Sequence, residues 1–309
     1  MKTSKIVGAP NNGEVVLKQK RALPHPKHLF PIHTMVAFNG HCGQGKTNAA
    51  INLAQAYFKG GYFTEVYLIT PTIENNRKFF TLPLKEENVY ENIQDVEGNL
   101  TSIQGKIQAL YEEYEFKLNY AAAHKKWKAH QELTVAEFNM LERMDYEDPE
   151  TPVRPIPLLI CDDLSHSPIY SNSRNNPFLN LTFYHRHCVE GIGISIFMLV
   201  QSFKAIPRAL RQNISIFCVF RTIDKSELQD LHLEIASNVT FPDFIRALDY
   251  ATQEKYSFLL IDRYGENIFR KNFNTILRMP ERGLMELLAS GAGECGKRKR
   301  VEAEENETI

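Results

Sequence analysis

The chain has 309 residues, 43% hydrophobic and 24% charged, and its 36 basic and 37 acidic side chains give a formal net charge of −1. At about 150 residues per domain, this length predicts two domains or one large α/β domain with insertions, with core enough to need no disulfide or metal staple. Collagen-like, disordered and coiled-coil chains are excluded by composition, and the balanced charge excludes a whole-molecule basic field, so any DNA contact must come from a local patch. Five cysteines, Cys42, Cys161, Cys188, Cys218 and Cys295, are odd in number, scattered and without zinc-type spacing. That pattern predicts buried thiols in a reducing compartment. The first residues lack a signal-peptide stretch, and the most apolar run, 192–200, is too short to span a bilayer. A soluble protein with no stable membrane insertion is expected.

Residues 1–30 are rich in Lys, Pro and His, follow no period and read as an N-terminal arm. A first strand is predicted in the run HTMVAFN, 33–39, which ends in a glycine-rich turn. After the turn, Ala50, Leu53, Ala54 and Tyr57 recur at helical spacing until Gly60-Gly61 stops the helix. EVYLIT, 65–70, reads as a second buried strand. Residues 72–150 are polar and charged, with a helical pattern from Leu100 to Met144, and read as a helical insertion. PIPLLIC (155–161), ISIFMLV (194–200) and ISIFCVF (214–220) are apolar without alternation. Such runs fit strands buried on both faces of a mainly parallel sheet flanked by helices. A late hairpin is predicted from Phe258–Asp262 and 268–273 around Tyr264-Gly265. The core domain thus spans 31–290, and residues 291–309, Gly-rich, then Lys297-Arg298-Lys299-Arg300, then acidic, read as a disordered charged tail.

The turn after the first strand, Gly40-His41-Cys42-Gly43-Gln44-Gly45-Lys46-Thr47, matches GxxxxGK[ST] throughout. Glycines at this spacing let backbone N–H groups curl around a phosphate, and the following helix adds its positive end. Gly40, Gly43, Gln44, Gly45, Lys46 and Thr47 are therefore the candidate nucleotide-binding residues, with Lys46 for the β- and γ-phosphates and Thr47 as a Mg²⁺ ligand. A phosphate loop of this kind calls for an acidic residue at the end of another buried strand. PLLICDD supplies Asp162 and Asp163, the first to orient the metal and the second to polarise attacking water; a solvated loop pair or a helix cap is the alternative. Gln201, at the end of ISIFMLV, either points into a ligand crevice or leaves the sheet for solvent. Arg186, Arg208 and Arg211 are each candidates for an arginine finger, and each has an ion-pair alternative.

Together, GHCGQGKT, LITPT at 68–72, LLICDD and YHRHCVEGIGISIFMLVQSFKAIPRALRQN resemble the poxvirus-type DNA-packaging ATPases of the FtsK–HerA superfamily, found in nucleocytoplasmic large DNA viruses, virophages and Polinton-type elements. The resemblance covers about residues 30–262 apart from much of 72–150. It implies a RecA-like ATPase core, assembly into a homo-oligomeric ring, and ATP- and Mg²⁺-dependent movement of double-stranded DNA into a capsid or through its portal vertex. It also implies that Asp162 and Asp163 form the Walker B pair, that Gln201 is the sensor and that Arg186, in the shared RH segment, is the first choice of finger ahead of Arg211. The expected location is host cytoplasm or nucleus, or the virion itself. A nucleotide-gated structural virion component, or another P-loop ATPase moving DNA or protein, is the alternative. A GTPase would need an NKxD-type base reader, and FRTID at 220–224 is not one. For DNA, the local candidates are His124-Lys125-Lys126-Trp127-Lys128-Ala129-His130 and the KRKR tail, each with a solvated-surface alternative.

Overall fold

The computed structural model describes residues 29–165, 167–265 and 269–278, so nearly all of the arm, the charged tail and Cys295 lie outside the described residues. In chain order the elements are β1 (Met35–Asn39), α1 (Lys46–Lys59), β2 (Glu65–Ile69), β3 (Val89–Tyr90), α2 (Val96–Lys128), α3 (Val135–Arg143), β4 (Pro157–Asp162), α4 (Pro177–Tyr184) and the single turn α5 (Cys188–Gly191). They continue with β5 (Ser195–Val200), the short α6 (Arg208–Arg211), β6 (Ile216–Phe220), α7 (Lys225–Ile235), α8 (Phe241–Ala251), β7 (Phe258–Asp262), β8 (Phe269–Lys271) and β9 (Thr275–Leu277).

All nine strands form one sheet in the order β3-β2-β4-β5-β1-β6-β7-β8-β9. From β3 to β6 the pairing is parallel, and β7, β8 and β9 extend the β6 edge antiparallel. The expected late hairpin is β7–β8, with β9 as a third strand. Each residue of β1, β4, β5, β6 and β7 is buried, as runs without alternation require when helices cover both faces. On one face Phe38, Phe197, Leu158 and Leu260 pack with Ala50, Leu53, Ala54 and Tyr57 of α1. On the other, Met35, Ala37 and Met198 pack with Ile103 of α2, Phe178 of α4, Leu231 of α7 and Phe244 of α8.

The segment 72–150 divides into two parts. Its first part belongs to the sheet layer: β3 pairs with β2, and Val96, Leu100, Ile103 and Ile107 of α2 enter the main core. Beyond Ile107 the 33-residue α2, about 50 Å long, runs on and folds against α3 around a small core of Tyr120, Ala123 and Leu141. A capping box between Thr134 and Glu137 starts α3 and sets the turn of this helical hairpin. Two lysines of the basic run 124–130 are paired within it, Lys126 with Glu137 at 2.5 Å and Lys128 with Asp148 at 2.6 Å, while Lys125 and His130 stay exposed. Trp127 lies between His124 and Tyr146, with ring centres 5.4 and 5.0 Å away. Residues 108–150 carry ten Asp and Glu against five Lys and Arg, so the hairpin presents an acidic surface, opposite to what a phosphate backbone attracts. No described helix is long and apolar enough to cross a membrane.

Phe197 is 2% exposed at the middle of β5, edge-on to Phe38 and Phe63 at 5.8 and 6.3 Å. Phe197→Ala is expected to cost about 3–5 kcal/mol of unfolding free energy, because a close-packed sheet face cannot collapse into the void. Phe138→Ala, at a position 47% exposed on α3, should change stability by less than about 0.5 kcal/mol. Urea unfolding of the two variants checks the assignment, and equal midpoints would contradict it.

Candidate functional site

Parallel strands deliver the loops that follow β1, β2, β4 and β5 to one edge of the sheet, and the register places them side by side. Asn39 pairs with Val200, Leu199 with Asp162, and the Gly40 N–H donates to the Val200 carbonyl at 3.1 Å. Gln201 therefore emerges between the glycine-rich turn and the acidic pair.

Gly43 and Gly45 take left-handed φ values of 77° and 99°, which a side chain would strain. At Gly40 the constraint is space: a Cβ would fall 2.4 Å from Gln44 Oε1 and 2.6 Å from Phe220 Cβ. Gln44 braces the loop, its Oε1 accepting from the His41 N–H at 2.8 Å and its Nε2 donating to the Arg221 carbonyl at 2.6 Å. α1 then starts at Lys46 behind Gly45, with no side-chain cap on its first N–H groups. Those orphan donors and the positive end of the helix suit an anion. Lys46 Nζ donates to the carbonyls of Gly40 and His41 at 2.6 and 3.0 Å, and burial lowers its pKa against the pull of the nearby Asp162 carboxylate.

Asp162 ends β4 and is 5% exposed. Burial, and then the Asp163 charge, push its carboxyl up to about 6 despite Lys46, and its Oδ2 accepts from Asn76 Nδ2 at 3.0 Å. Asp163, exposed and left-handed at φ 52°, turns out of the strand and accepts from Gln201 Nε2 at 2.9 Å through Oδ1. The crevice has a volume of about 370 Å³, and Lys46, Thr47, Asp162, Asp163 and Gln201 all line it. Behind it the buried Glu227 of α7 accepts from the Phe203 N–H at 2.7 Å, Thr222 Oγ1 at 3.0 Å and Asn39 Nδ2 at 3.4 Å. One carboxylate thus ties together the roots of the loops leaving β1, β5 and β6.

The Thr47 hydroxyl and the Asp162 carboxylate are hard oxygen donors, and a buried carboxylate whose ionisation is opposed is a natural place for a cation. Among the described residues no group of three or more His, Cys, Asp or Glu could cage a metal. The oxygen donors fit Mg²⁺, which binds through one or two carboxylates plus substrate phosphates.

Asn76, Lys78 and Tyr256 line the crevice from outside any motif in the sequence. Asn76 and Lys78 follow β2, and the one signal for them is their place beyond the carboxyl end of a buried parallel strand. Tyr256 comes from the loop before β7 with φ 69°, and its atoms lie 3.1–3.4 Å from where a Cβ on Gly45 would sit. Close approach of this ring is a second reason for glycine at position 45.

The arginines are not brought to the crevice. Arg211 donates through Nε and Nη2 to both Glu234 carboxylate oxygens at 2.9 and 2.7 Å, and its guanidinium centre stacks 4.6 Å above the Phe203 ring. Its Nη1 also donates to the Ile206 carbonyl at 2.5 Å, so within this protomer Arg211 holds its own turn together. Arg208 is exposed on the same short helix. Arg186, also exposed, lines a separate cavity with His33, Ser215 and Asp262, at the edge where β1, β5 and β6 begin. A strand's length, about 17–20 Å, separates that edge from the crevice, so Arg186 does not act on the phosphate site of its own chain. Its neighbour His185 is buried, with Nδ1 2.7 Å from the Thr182 carbonyl and Nε2 3.0 Å from that of His33, and burial lowers its pKa.

The sheet order, the glycine turn between β1 and α1 and the acidic strand end define a P-loop α/β core. A family model described as the poxvirus A32 protein matches residues 131–272, a little under half of the chain. The matched stretch contains Asp162, Asp163, Arg186, Gln201 and Arg211, the segment that carries most of the resemblance seen in the sequence, while the P-loop lies outside it. No curated protein sequence matches the chain. Among solved structures, the DNA-packaging ATPase B204 from Sulfolobus turreted icosahedral virus is similar at 11% identity and TM-score 0.47, over 75% of this chain and 93% of that one. The genome-packaging NTPase B204 from Sulfolobus turreted icosahedral virus 2, in complex with sulfate, is similar at 12% identity and TM-score 0.48, over 81% of this chain and 98% of that one. ATPases 2 and 3 of EssC from Geobacillus thermodenitrificans are similar at 16% identity and TM-score 0.46, over 87% of this chain and 44% of that one.

In the metal-free protein the fold opposes ionisation of Asp162. Its value of about 6 lies above the ordinary 3.8, so between the two the native state binds more protons than the unfolded state, and stability falls as pH rises through that window. Asp162→Asn is therefore expected to raise the melting temperature at about pH 8 and to leave it nearly unchanged at about pH 4. Thermal unfolding without metal at both pH values checks this. A lower melting temperature at the alkaline value would mean that the ionised carboxylate holds the crevice together.

Proposed function

We propose that the chain is an ATP-hydrolysing motor that drives double-stranded DNA into a viral capsid, working as a homo-oligomeric ring with Mg²⁺. The observation that carries this reading is the Gln201–Asp163 bridge beside Asp162 and Lys46 in one crevice. The family match over the segment containing the first three of these residues supports it. Capsid or portal vertex proteins are the expected docking partners, and the site of virion assembly the expected location.

In this mechanism Lys46 exchanges the Gly40 and His41 carbonyls for the β- and γ-phosphates. Loop N–H groups and the start of α1 take up the remaining phosphate charge. Thr47 and Asp162 would hold Mg²⁺, which neutralises charge between the phosphates when bound. Asp163 accepts the proton of the attacking water, and Gln201, already bonded to Asp163 Oδ1, orients that carboxylate and reports the state of the γ-phosphate to the loop after β5. The half-exposed Tyr256 ring offers a stacking face for the base, beside a cavity of about 410 Å³ lined by Gln44, Phe220, Arg221 and Gln253. Arg186, at the far edge, acts across the subunit boundary on a neighbour's phosphates.

Steady-state hydrolysis with and without duplex DNA tests the reading. Stimulation by DNA is expected, and Lys46→Ala should abolish turnover without lowering the melting temperature; an assembled ring inert with and without DNA would favour a nucleotide-gated structural component. Asp163→Asn should slow turnover by ~10²–10⁴ while ATP affinity survives, because Asp162 and Thr47 remain. A parallel collapse of affinity would make Asp163 a metal ligand instead. Mixing Lys46→Ala and Arg186→Ala subunits shown to co-assemble should restore hydrolysis above that of either alone. No recovery at any ratio would remove Arg186 from the role.

A further inference from the structure

The charge inventory of the crevice leaves one cation without a task. Its charged lining residues are Lys46, Lys78, Asp162 and Asp163. Lys46 belongs to the phosphate loop, and with both carboxylates ionised the two lysines only balance them, so the crevice has no spare positive charge before any phosphate enters. A bound nucleotide adds more negative charge than its metal cancels, so a second cation is needed where charge accumulates. Arg211 is locked to Glu234, and Arg186 stands at the opposite edge.

Lys78 stands where that cation is needed. It lies in the 3-10 turn Arg77–Thr81, two residues past the Asn76 that holds Asp162. The next residue, Phe79, is fully buried among the side chains that cover α1, so the turn is anchored to the same helix that begins the phosphate site. Lys78 Nζ lies 3.4 Å from Asn48 Oδ1, one residue beyond Thr47, and among the described residues no carboxylate pairs with it. The side chain is exposed, with a four-carbon stem free to swing over the first turn of α1.

We propose that Lys78 is a second phosphate-binding cation, acting in cis on the terminal phosphate of the nucleotide held by Lys46 and Thr47. The assignment rests on the nucleotide reading of the crevice and adds a residue that neither the motif nor the resemblance supplies. A cation contacting the terminal phosphate favours triphosphate over diphosphate, and favours the transition state further by stabilising the charge on the three equatorial oxygens of the transferring phosphoryl group.

The experiment compares wild type, Lys78→Ala and Lys78→Arg for turnover and for binding of ADP and of a non-hydrolysable ATP analogue. Lys78→Ala is expected to slow turnover by ~10²-fold or more and to lose about tenfold of the preference for the triphosphate analogue over ADP, with ADP affinity unchanged. Lys78→Arg should recover much of both. A structural role for the lysine would shift both affinities together or neither. Co-assembled mixtures of Lys46→Ala and Lys78→Ala should show no recovery, since both residues serve the same chain's site, in contrast to the Arg186 mixture. Unchanged turnover and unchanged triphosphate preference in Lys78→Ala, with wild type binding and hydrolysing ATP, overturns the lysine assignment alone. Recovery in the mixture overturns action in cis. If wild type binds neither nucleotide, the reading of the crevice fails and the Lys78 assignment falls with it.

Discussion

The parallel pairing of β5 with both β1 and β4 is the interaction on which the site depends. Its register sets Asn39 beside Val200 and Leu199 beside Asp162, so three chain segments far apart in sequence leave the sheet within one residue of the same level. A slip of one residue would turn each buried side chain to the opposite face, and two tightly filled cores forbid it. The geometry of Lys46, Asp163 and Gln201 is thus held by apolar packing well below the crevice. Glu227 adds the polar counterpart, fastening the roots of three loops with one buried carboxylate.

Electrostatics in the crevice describe a site prepared for a ligand that brings both signs of charge. Lys46 rests on loop carbonyls and is disfavoured as a cation by burial, while Asp162 is disfavoured as an anion by burial and by Asp163. Neither group reaches the most favourable partner for its charged form within the chain. A phosphate for the lysine and a cation for the aspartate would relieve both at once.

The helical hairpin shows how composition misleads when ion pairs are ignored. The run HKKWKAH has the residue types of a nucleic-acid patch, yet α3 and the segment after it bring Glu137 and Asp148 onto Lys126 and Lys128. The neighbouring tryptophan packs between His124 and Tyr146. What projects is an acidic surface.

What the sequence determined by itself was everything that rests on contiguous residues. The P-loop was legible because glycine spacing, lysine and threonine act within eight neighbouring positions, and the sheet core because strands buried on both faces read as unbroken apolar runs. Asp162 was legible because it ends such a run. Tertiary structure alone decided the rest, because those contacts join residues with no fixed separation along the chain. Asn76 meets Asp162 across 86 positions, Gln201 meets Asp163 across 38, and Tyr256 closes over Gly45 from the far side of the sheet order. The arginines make the same point: nothing in the sequence places Arg186 at the edge opposite the crevice or brings Glu234 onto Arg211, and both follow from the packing of distant segments. A side chain's chemistry is written in the sequence, whereas its partner is chosen by the packing that brings distant strands into register.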